Sequence, residues 1–176
     1  MNKSLKQVAE YALSDEDIEK ILGKTFIFSY PYLDDVNSID DVFDSKGRSI
    51  MLFLTEDEST GHWCCMIKKN NEIHYFDPYG IKPEGEKKWL SKEKLEELDQ
   101  ERPVLTKLFR KSGYPIFFND YCFQKEKKGI NSCGRHCATR LLFKDLSLEE
   151  YFDMIKQSGM TPDEFVSKIT FQIIKK

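Results

Sequence analysis

The chain has 176 residues, a formal net charge of −3, 40% apolar residues and 32% charged residues. This length predicts one domain, spanning 1–176, with a core large enough to fold without disulfides. The composition argues against disorder, and no apolar run reaches the roughly 18 residues that a membrane-spanning helix needs. The near-neutral charge and the absence of a long basic tract do not indicate nucleic acid as a partner.

Helix-forming residues dominate 4–22, where Ser14 and the acidic residues after it are typical of a helix start. The aromatic segment 26–32 is interpreted as loop or extended chain. Strands are predicted, in chain order, at 50–54, 62–67, 73–76 and 114–123. Further helices are predicted at 87–100, 103–111, 133–143, 148–157 and 162–174. The pattern predicts an α+β or mixed α/β domain, in which helices flank a central mixed or antiparallel sheet.

The second and third strands form a predicted hairpin around Asn70 and Asn71. A two- or four-residue loop places Cys64 opposite Asp77, with His62 on the same face. His62 and Asp77 are then diagonal neighbours, with Cα atoms about 7–8 Å apart, a distance that their side chains can bridge. A three-residue loop would place them on opposite faces.

Cys133 follows a loop and begins a predicted helix. At a helix start, unpaired backbone N–H groups and the helix dipole favour the nucleophilic thiolate. Gly134 is expected to keep the space beside the sulfur open. A histidine acting as base and an acid that orients it would complete a catalytic triad, and the chain provides these in the order His62, Asp77, Cys133.

Four segments together resemble one family of enzymes. They are GHWCCMI (61–67), IHYFDPYG (73–80), CFQ (122–124) and NSCGRHCATRL (131–141). Their order and spacing are similar to those of the adenain-type and SUMO-protease-type cysteine proteases, which share one fold. The resemblance implies that fold, with the nucleophile at a helix N-terminus.

The resemblance also implies a role for each matching residue. His62 would be the general base, Asp77 would orient it, and Cys133 would attack the scissile carbonyl. Gln124 would donate an N–H to the oxyanion, and Trp63 would wall a narrow, substrate-binding channel that favours glycine beside the cut bond. No metal or resident cofactor is implied, although adenain uses an activator, so a peptide or nucleic-acid activator stays open.

The sequence departs from the family pattern at two places. The stretch between Gln124 and Cys133 is longer than usual, and Lys125-Glu126-Lys127-Lys128 is unusually charged, which is interpreted as a solvated loop. Ser132 precedes the nucleophile where SUMO proteases typically carry an aspartate. Asp77 is the acid of the SUMO-protease type, whereas the Asp77-Pro78-Tyr79-Gly80 segment is closer to adenain.

The expected function is a cysteine endopeptidase that cleaves viral capsid or other structural precursor proteins at glycine-containing sites during virion maturation. The odd number of cysteines, two of them adjacent, and the absence of a secretory signal predict reduced thiols. The expected location is the virion and the cytoplasm or nucleus of the infected cell, with no membrane partner and no prediction of oligomeric state.

Three alternatives are open at this point. The same triad would serve a deconjugase that removes ubiquitin-like modifiers, or an acyltransferase that modifies a partner protein. A non-enzymatic zinc or interaction module is the third alternative, with zinc ligands drawn from His62, Cys64, Cys133, His136 and Cys137. Outside a zinc site, His136 is expected to be exposed, whereas Cys122 and Cys137 are expected to be buried packing residues.

Overall fold

A computed structural model describes residues 3–125 and 130–175 of the chain. The domain is α+β, with five strands and seven α-helices in the described residues. The strands are β1 (Phe26–Ser29), β2 (Arg48–Leu54), β3 (Gly61–Lys69), β4 (Glu72–Phe76) and β5 (Ile116–Phe118). The helices are α1 (Lys3–Glu10), α2 (Asp15–Leu22), α3 (Lys92–Glu97), α4 (Val104–Ser112), α5 (Cys133–Leu142), α6 (Leu148–Gln157) and α7 (Pro162–Ile174). Short 3-10 helices span Tyr30–Asp35, Ile39–Val42 and Gly85–Trp89.

The strands form one mixed sheet in the order β1-β2-β3-β4-β5. β2, β3 and β4 are antiparallel neighbours, whereas β1 and β5 pair in parallel with β2 and β4 at the two edges. The sheet is therefore mixed, and its centre is a meander of three consecutive strands. β3 is the middle strand, and its first residues carry His62 and Trp63.

Two hydrophobic clusters cover the two faces of the sheet. Along β2, Ile50, Leu52 and Leu54 join one cluster, whereas Met51 and Phe53 join the other, as expected from the alternation of side chains in a strand. The first cluster includes apolar residues of α2, α5, α6 and α7. The second includes residues of α4 and of the 3-10 helices before β2. Helices thus cover a sheet that is buried on both faces, and α5 lies on one of them.

The helix starts follow the sequence pattern closely. Ser14, Ser147 and Thr161 each accept a backbone N–H with their side chains and take part in a capping box, so these predicted starts are confirmed. A capping box satisfies two backbone donors that would otherwise have no partner inside the helix. These local signals therefore determine where α2, α6 and α7 begin.

Three predicted elements are shorter or divided. The helical segment 4–22 contains two helices, because the Ser14 cap begins α2 separately. The segment 87–100 is divided in the same way, by Ser91, which caps α3 after a 3-10 helix. The predicted strand 114–123 is only the three residues of β5, since the Asn119 side chain turns back to bond the backbone of Asp77.

The burial of two residues differs from the sequence expectation. His136 is fully buried and its Nε2 lies 3.0 Å from Asp163 Oδ1, because α7 covers this part of α5. Cys122 is exposed, whereas Cys137 is buried as expected. Among residues 3–125 and 130–175, no helix has the length and apolar character needed to cross a membrane.

Candidate active site

The β3–β4 hairpin brings His62 and Asp77 into contact. Its two-residue turn, Asn70-Asn71, has positive φ at both positions, and Lys69 pairs with Glu72 as the sequence pattern predicts. His62 Nε2 lies 2.7 Å from Asp77 Oδ2. The two side chains are 5% and 0% exposed, so this polar contact is shielded from water.

The Asp77 carboxylate is held in one orientation by the backbone that follows it. Its Oδ1 accepts N–H bonds from Tyr79 at 2.7 Å and Ile81 at 3.3 Å. The Asn119 side chain accepts from the Asp77 N–H and donates to the Asp77 carbonyl. Burial alone would raise the pKa of Asp77, but the hydrogen bond and charge of His62 prevail and lower it. The carboxylate is therefore ionised and points at the imidazole.

Cys133 completes the arrangement from the first residue of α5. Its side chain hydrogen-bonds to His62, and because Nε2 faces Asp77, Nδ1 is the ring nitrogen left for the sulfur. Burial opposes ionisation of the thiol, yet His62 and the backbone N–H groups of Trp63 and Gly134 lower the pKa of Cys133. Burial likewise opposes the charge on His62, but Asp77 and Cys133 raise its pKa to about 10. These shifts favour a thiolate–imidazolium pair at neutral pH.

The loop before Cys133 is fastened to the end of α1. The Asn131 N–H donates to Ala9 O at 2.8 Å, and Asn131 Nδ2 donates to Glu10 O at 2.9 Å. Arg135, one residue after Gly134, donates to Val8 O at 3.1 Å. Since the last carbonyls of a helix have no partner within it, these donors satisfy the end of α1 and fix the chain on both sides of Cys133.

A cleft of about 630 Å³ opens beside this group, and Cys133, His62, Trp63 and Gln124 all line it. Trp63 is buried, and its Nε1 donates to Leu13 O at 3.3 Å. Trp63 therefore lies in the wall of the cleft, where the family resemblance places it. Its role toward a substrate stays a prediction.

The expectation for Gly134 is wrong in one respect. A Cβ atom at Gly134 would lie 3.0 Å from Trp63 Cδ1 and 3.3 Å from Leu13 Cβ. The absent side chain thus leaves room for the indole of Trp63 rather than an open space beside the sulfur. The glycine allows α5 to approach β3 closely enough for Cys133 to reach His62.

Gln124 is buried at the other side of the cleft. Its Nε2 donates to Ile130 O at 3.3 Å, which uses one of its two N–H groups. Its Oε1 has no partner among the described residues. One N–H therefore stays available for an oxyanion, and this role of Gln124 stays a prediction. Of the charged run that follows, residues 126–128 lie outside the described residues.

Three residues near His62 had no assigned role in the sequence analysis. Tyr79 stacks on the His62 ring with centroids 4.9 Å apart, and Trp89 contacts the ring edge-on at 5.4 Å. Glu86 is buried behind Asp77. Tyr79 was within a motif segment and could have been singled out, whereas no local pattern marks Trp89 or Glu86.

Four side chains in the described part of the chain form a group that could hold a metal ion. The potential ligand atoms of His62, Cys64, Asp77 and Glu86 lie within 4.8 Å of one another, and all four residues are buried. This is not the zinc set considered from the sequence, because Cys137 instead bonds the Trp63 carbonyl. Within the group, Cys64 Sγ lies 3.2 Å from both Asp77 Oδ2 and Glu86 Oε1, so direct hydrogen bonds already connect these atoms.

Comparison with known proteins gives a viral relative. No protein-family model matches the chain. Over 174 residues, the chain is 37% identical to a protein described as "Uncharacterized protein V9" of Sputnik virophage, covering 96% of this chain and 99% of the relative. The chain therefore belongs to the same family as this virophage protein, which supports a viral origin.

Proposed function

We propose that this member of the family of Sputnik virophage protein V9 is a cysteine endopeptidase. The observation that carries the proposal is the series of contacts from the buried Asp77 through His62 to Cys133, of which His62 and Cys133 line a cleft. A thiol at a helix start, an imidazole beside it and a carboxylate behind the imidazole are the groups needed for nucleophilic acyl transfer. The family resemblance of the four sequence segments points to the same chemistry.

In the proposed mechanism, the Cys133 thiolate attacks the scissile carbonyl carbon and forms a C–S bond. The His62 imidazolium donates its proton to the leaving amine as the C–N bond breaks. His62 then accepts a proton from water, which attacks the thioester and releases the acid product. The Cys133 backbone N–H and one Gln124 side-chain N–H donate to the oxyanion of each tetrahedral intermediate.

The cleft walls favour small substrate residues next to the cut bond. Trp63, Tyr79 and Trp89 all line the cleft close to His62 or Cys133. Bulky aromatic walls leave little room for a substrate side chain at the reacting carbonyl, so glycine is the residue expected there. Because the family includes a virophage protein, the proposed substrates are viral capsid or other structural precursor proteins.

The test is cleavage of a peptide library by the wild type and by Cys133→Ala, under reducing conditions without added zinc. We expect cleavage after glycine or another small residue by the wild type alone, with product ends read by mass spectrometry. The matched control is Cys122→Ser, which alters an exposed cysteine and should retain cleavage, because the serine hydroxyl can replace the thiol as the donor to Gln124 O. Equal thermal melting temperatures would show that all three chains are folded.

Other outcomes would point elsewhere. Cleavage that survives Cys133→Ala would remove Cys133 from the mechanism. Reaction only with a ubiquitin-like probe would favour a deconjugase, and acyl-CoA consumption without peptide cleavage would favour an acyltransferase. If the wild type showed none of these and Cys133 were alkylated no faster than Cys122, the proposal of a catalytic thiol would be refuted.

A further inference from the structure

One carboxylate of α7 connects the two segments that flank the proposed oxyanion. Asp163 lies in the first turn of α7 and is 3% exposed. Its Oδ1 accepts from Ser132 Oγ at 2.6 Å and contacts His136 Nε2 at 3.0 Å. Its Oδ2 accepts from the backbone N–H of Lys125 at 3.2 Å. Lys125 directly follows Gln124, and Ser132 directly precedes Cys133.

Ser132 behaves unlike the other hydroxyl residues at the starts of the α-helices that the structure describes. Ser14, Ser147 and Thr161 each accept a backbone N–H of their own helix. Ser132 occupies the same N-cap position of α5, yet its side chain makes no cap hydrogen bond. Its hydroxyl instead donates to Asp163. The first N–H groups of α5 therefore have no side-chain acceptor from Ser132.

Those N–H groups are the ones that the proposed chemistry needs. The Gly134 N–H bonds the Cys133 sulfur and helps to lower the pKa of its thiol, against the effect of burial. An N-cap side chain normally accepts from the second or third N–H of the helix, so a capping Ser132 would compete with the sulfur for the Gly134 N–H.

We propose that Asp163 is a positioning residue of the active site. It holds the Ser132 hydroxyl away from the start of α5 and fixes the backbone at Lys125, so that the N–H groups of α5 and the Gln124 side chain face one oxyanion. This inference rests on the proposed function and assigns to α7 a part in it. The buried His136 and Ser132 also stabilise the charged form of Asp163 and lower its pKa, although burial opposes this.

The test uses Asp163→Asn in a Cys122→Ser background, where Cys133 is the cysteine most open to reagents. We expect kcat to fall about tenfold with KM changed less than twofold, because the loss concerns groups that act on the transition state. The pH profile of Cys133 alkylation by iodoacetamide should move to higher pH. A loss of fold stability alone would not move that profile.

Two further variants separate positioning from general effects. Asp163→Asn should cost less in a Ser132→Ala background, since no hydroxyl is then free to cap α5; equal losses in both backgrounds would overturn the role of Ser132. Glu164→Ala is the matched control, because Glu164 lies beside Asp163 but its carboxylate caps α7 itself. An equal loss of kcat in Glu164→Ala would assign the effect to α7 stability.

The proposal can also be tested without a folded Asp163→Asn variant and without peptide cleavage. Ser132→Ala should leave the alkylation profile of Cys133 in place, because Ser132 does not cap α5 in the wild type. A shift of that profile to lower pH in Ser132→Ala would overturn the proposal, because it would show that the hydroxyl had been competing for the α5 N–H groups. If the wild type cleaves no peptide, the alkylation profiles still decide whether Asp163 positions Cys133, and only the proposed function fails.

Discussion

Asp77→Asn is the sharpest test of the proposed ion pair. The substitution keeps the size of the side chain, and the remaining oxygen can still accept the Tyr79 N–H. An amide N–H₂ would replace the oxygen that faces His62 Nε2, so the imidazole would have to accept at Nε2 and carry its proton on Nδ1. A ring in that tautomer cannot take a proton from Cys133.

The size of the effect follows from the charge on His62. The interactions of Asp77 and Cys133 raise the pKa of His62 from 6.5 to about 10 in spite of burial. At about 1.36 kcal/mol per pKa unit, this rise corresponds to about 5 kcal/mol. If half of it is due to Asp77, removing the charge costs about 2 kcal/mol, or about 30-fold in the equilibrium constant that forms the ion pair from the neutral pair. The wrong tautomer extends the loss of kcat toward 10⁴-fold, roughly the size known for triad hydrolases.

The assay has two readings. Alkylation of Cys133 at pH 7, followed on its own peptide by mass spectrometry, should slow by as much as about 30-fold, the factor that follows from the ion-pair energy. The value of kcat/KM for the library peptide should fall further. The matched control is Glu72→Gln, which alters a half-buried histidine–acid pair on the same hairpin, with His74, and should leave both readings unchanged. Both readings within threefold of the wild type in Asp77→Asn would refute the ion-pair argument.

Three further outcomes follow from the same geometry. Gln124→Ala should lower kcat about 10²- to 10³-fold with little change in KM. A fall in kcat/KM that came only from a higher KM would contradict an oxyanion role. As the pH is raised, kcat/KM should increase with a midpoint below 9.0, the ordinary pKa of a thiol, because the pKa of Cys133 is lowered. It should decrease again as His62 loses its proton near pH 10. Gly134→Ala should lower thermal stability by about 1–3 kcal/mol and slow cleavage, because its Cβ would press on Trp63 at 3.0 Å; an unchanged melting temperature would show that α5 can shift freely.

The pairing of His62 with Asp77 could be predicted because it depends on local rules. A two-residue turn at Asn70-Asn71 determines the register, and the period of two in a strand then determines which side chains share a face. The helix starts at Ser147 and Thr161 are predictable for a similar reason, since a capping box lies within four residues. The central strands and the flanking helices follow from the same periodic patterns, whereas these patterns left open whether the sheet is mixed or antiparallel.

The surroundings of that pair could not be predicted, because they depend on contacts between distant segments. Trp89 reaches His62 from a 3-10 helix, and Asp163 reaches Ser132 from the last helix of the chain. The end of β5 depends on Asn119, whose side chain hydrogen-bonds to the backbone of Asp77, the residue that follows β4. Polar side chains that satisfy one another in this way leave no periodic trace in the sequence.

The buried carboxyl of Glu86 makes the stability of the domain depend on pH. The carboxyl is buried, accepts from Tyr75 at 3.1 Å and from Cys64 at 3.2 Å, and has one oxygen without a partner among the described residues. Burial and the charge of Asp77 raise its pKa above the ordinary 4.5. A folded-state pKa above the unfolded value means that the folded protein holds a proton that the unfolded chain has released, so the free energy of unfolding falls as the pH rises above 4.5.

Replacing Glu86 by glutamine removes this proton dependence and keeps an oxygen for Tyr75 and Cys64. Glu86→Gln should therefore melt at a higher temperature than the wild type at pH 8, and the difference should shrink toward pH 4, where the wild-type carboxyl is mostly protonated in both states. Thermal melts of both chains at several pH values measure the difference. A difference that stayed constant with pH would show that the burial of Glu86 leaves its proton affinity unchanged, and a difference that grew toward pH 4 would require a carboxylate stabilised by the fold.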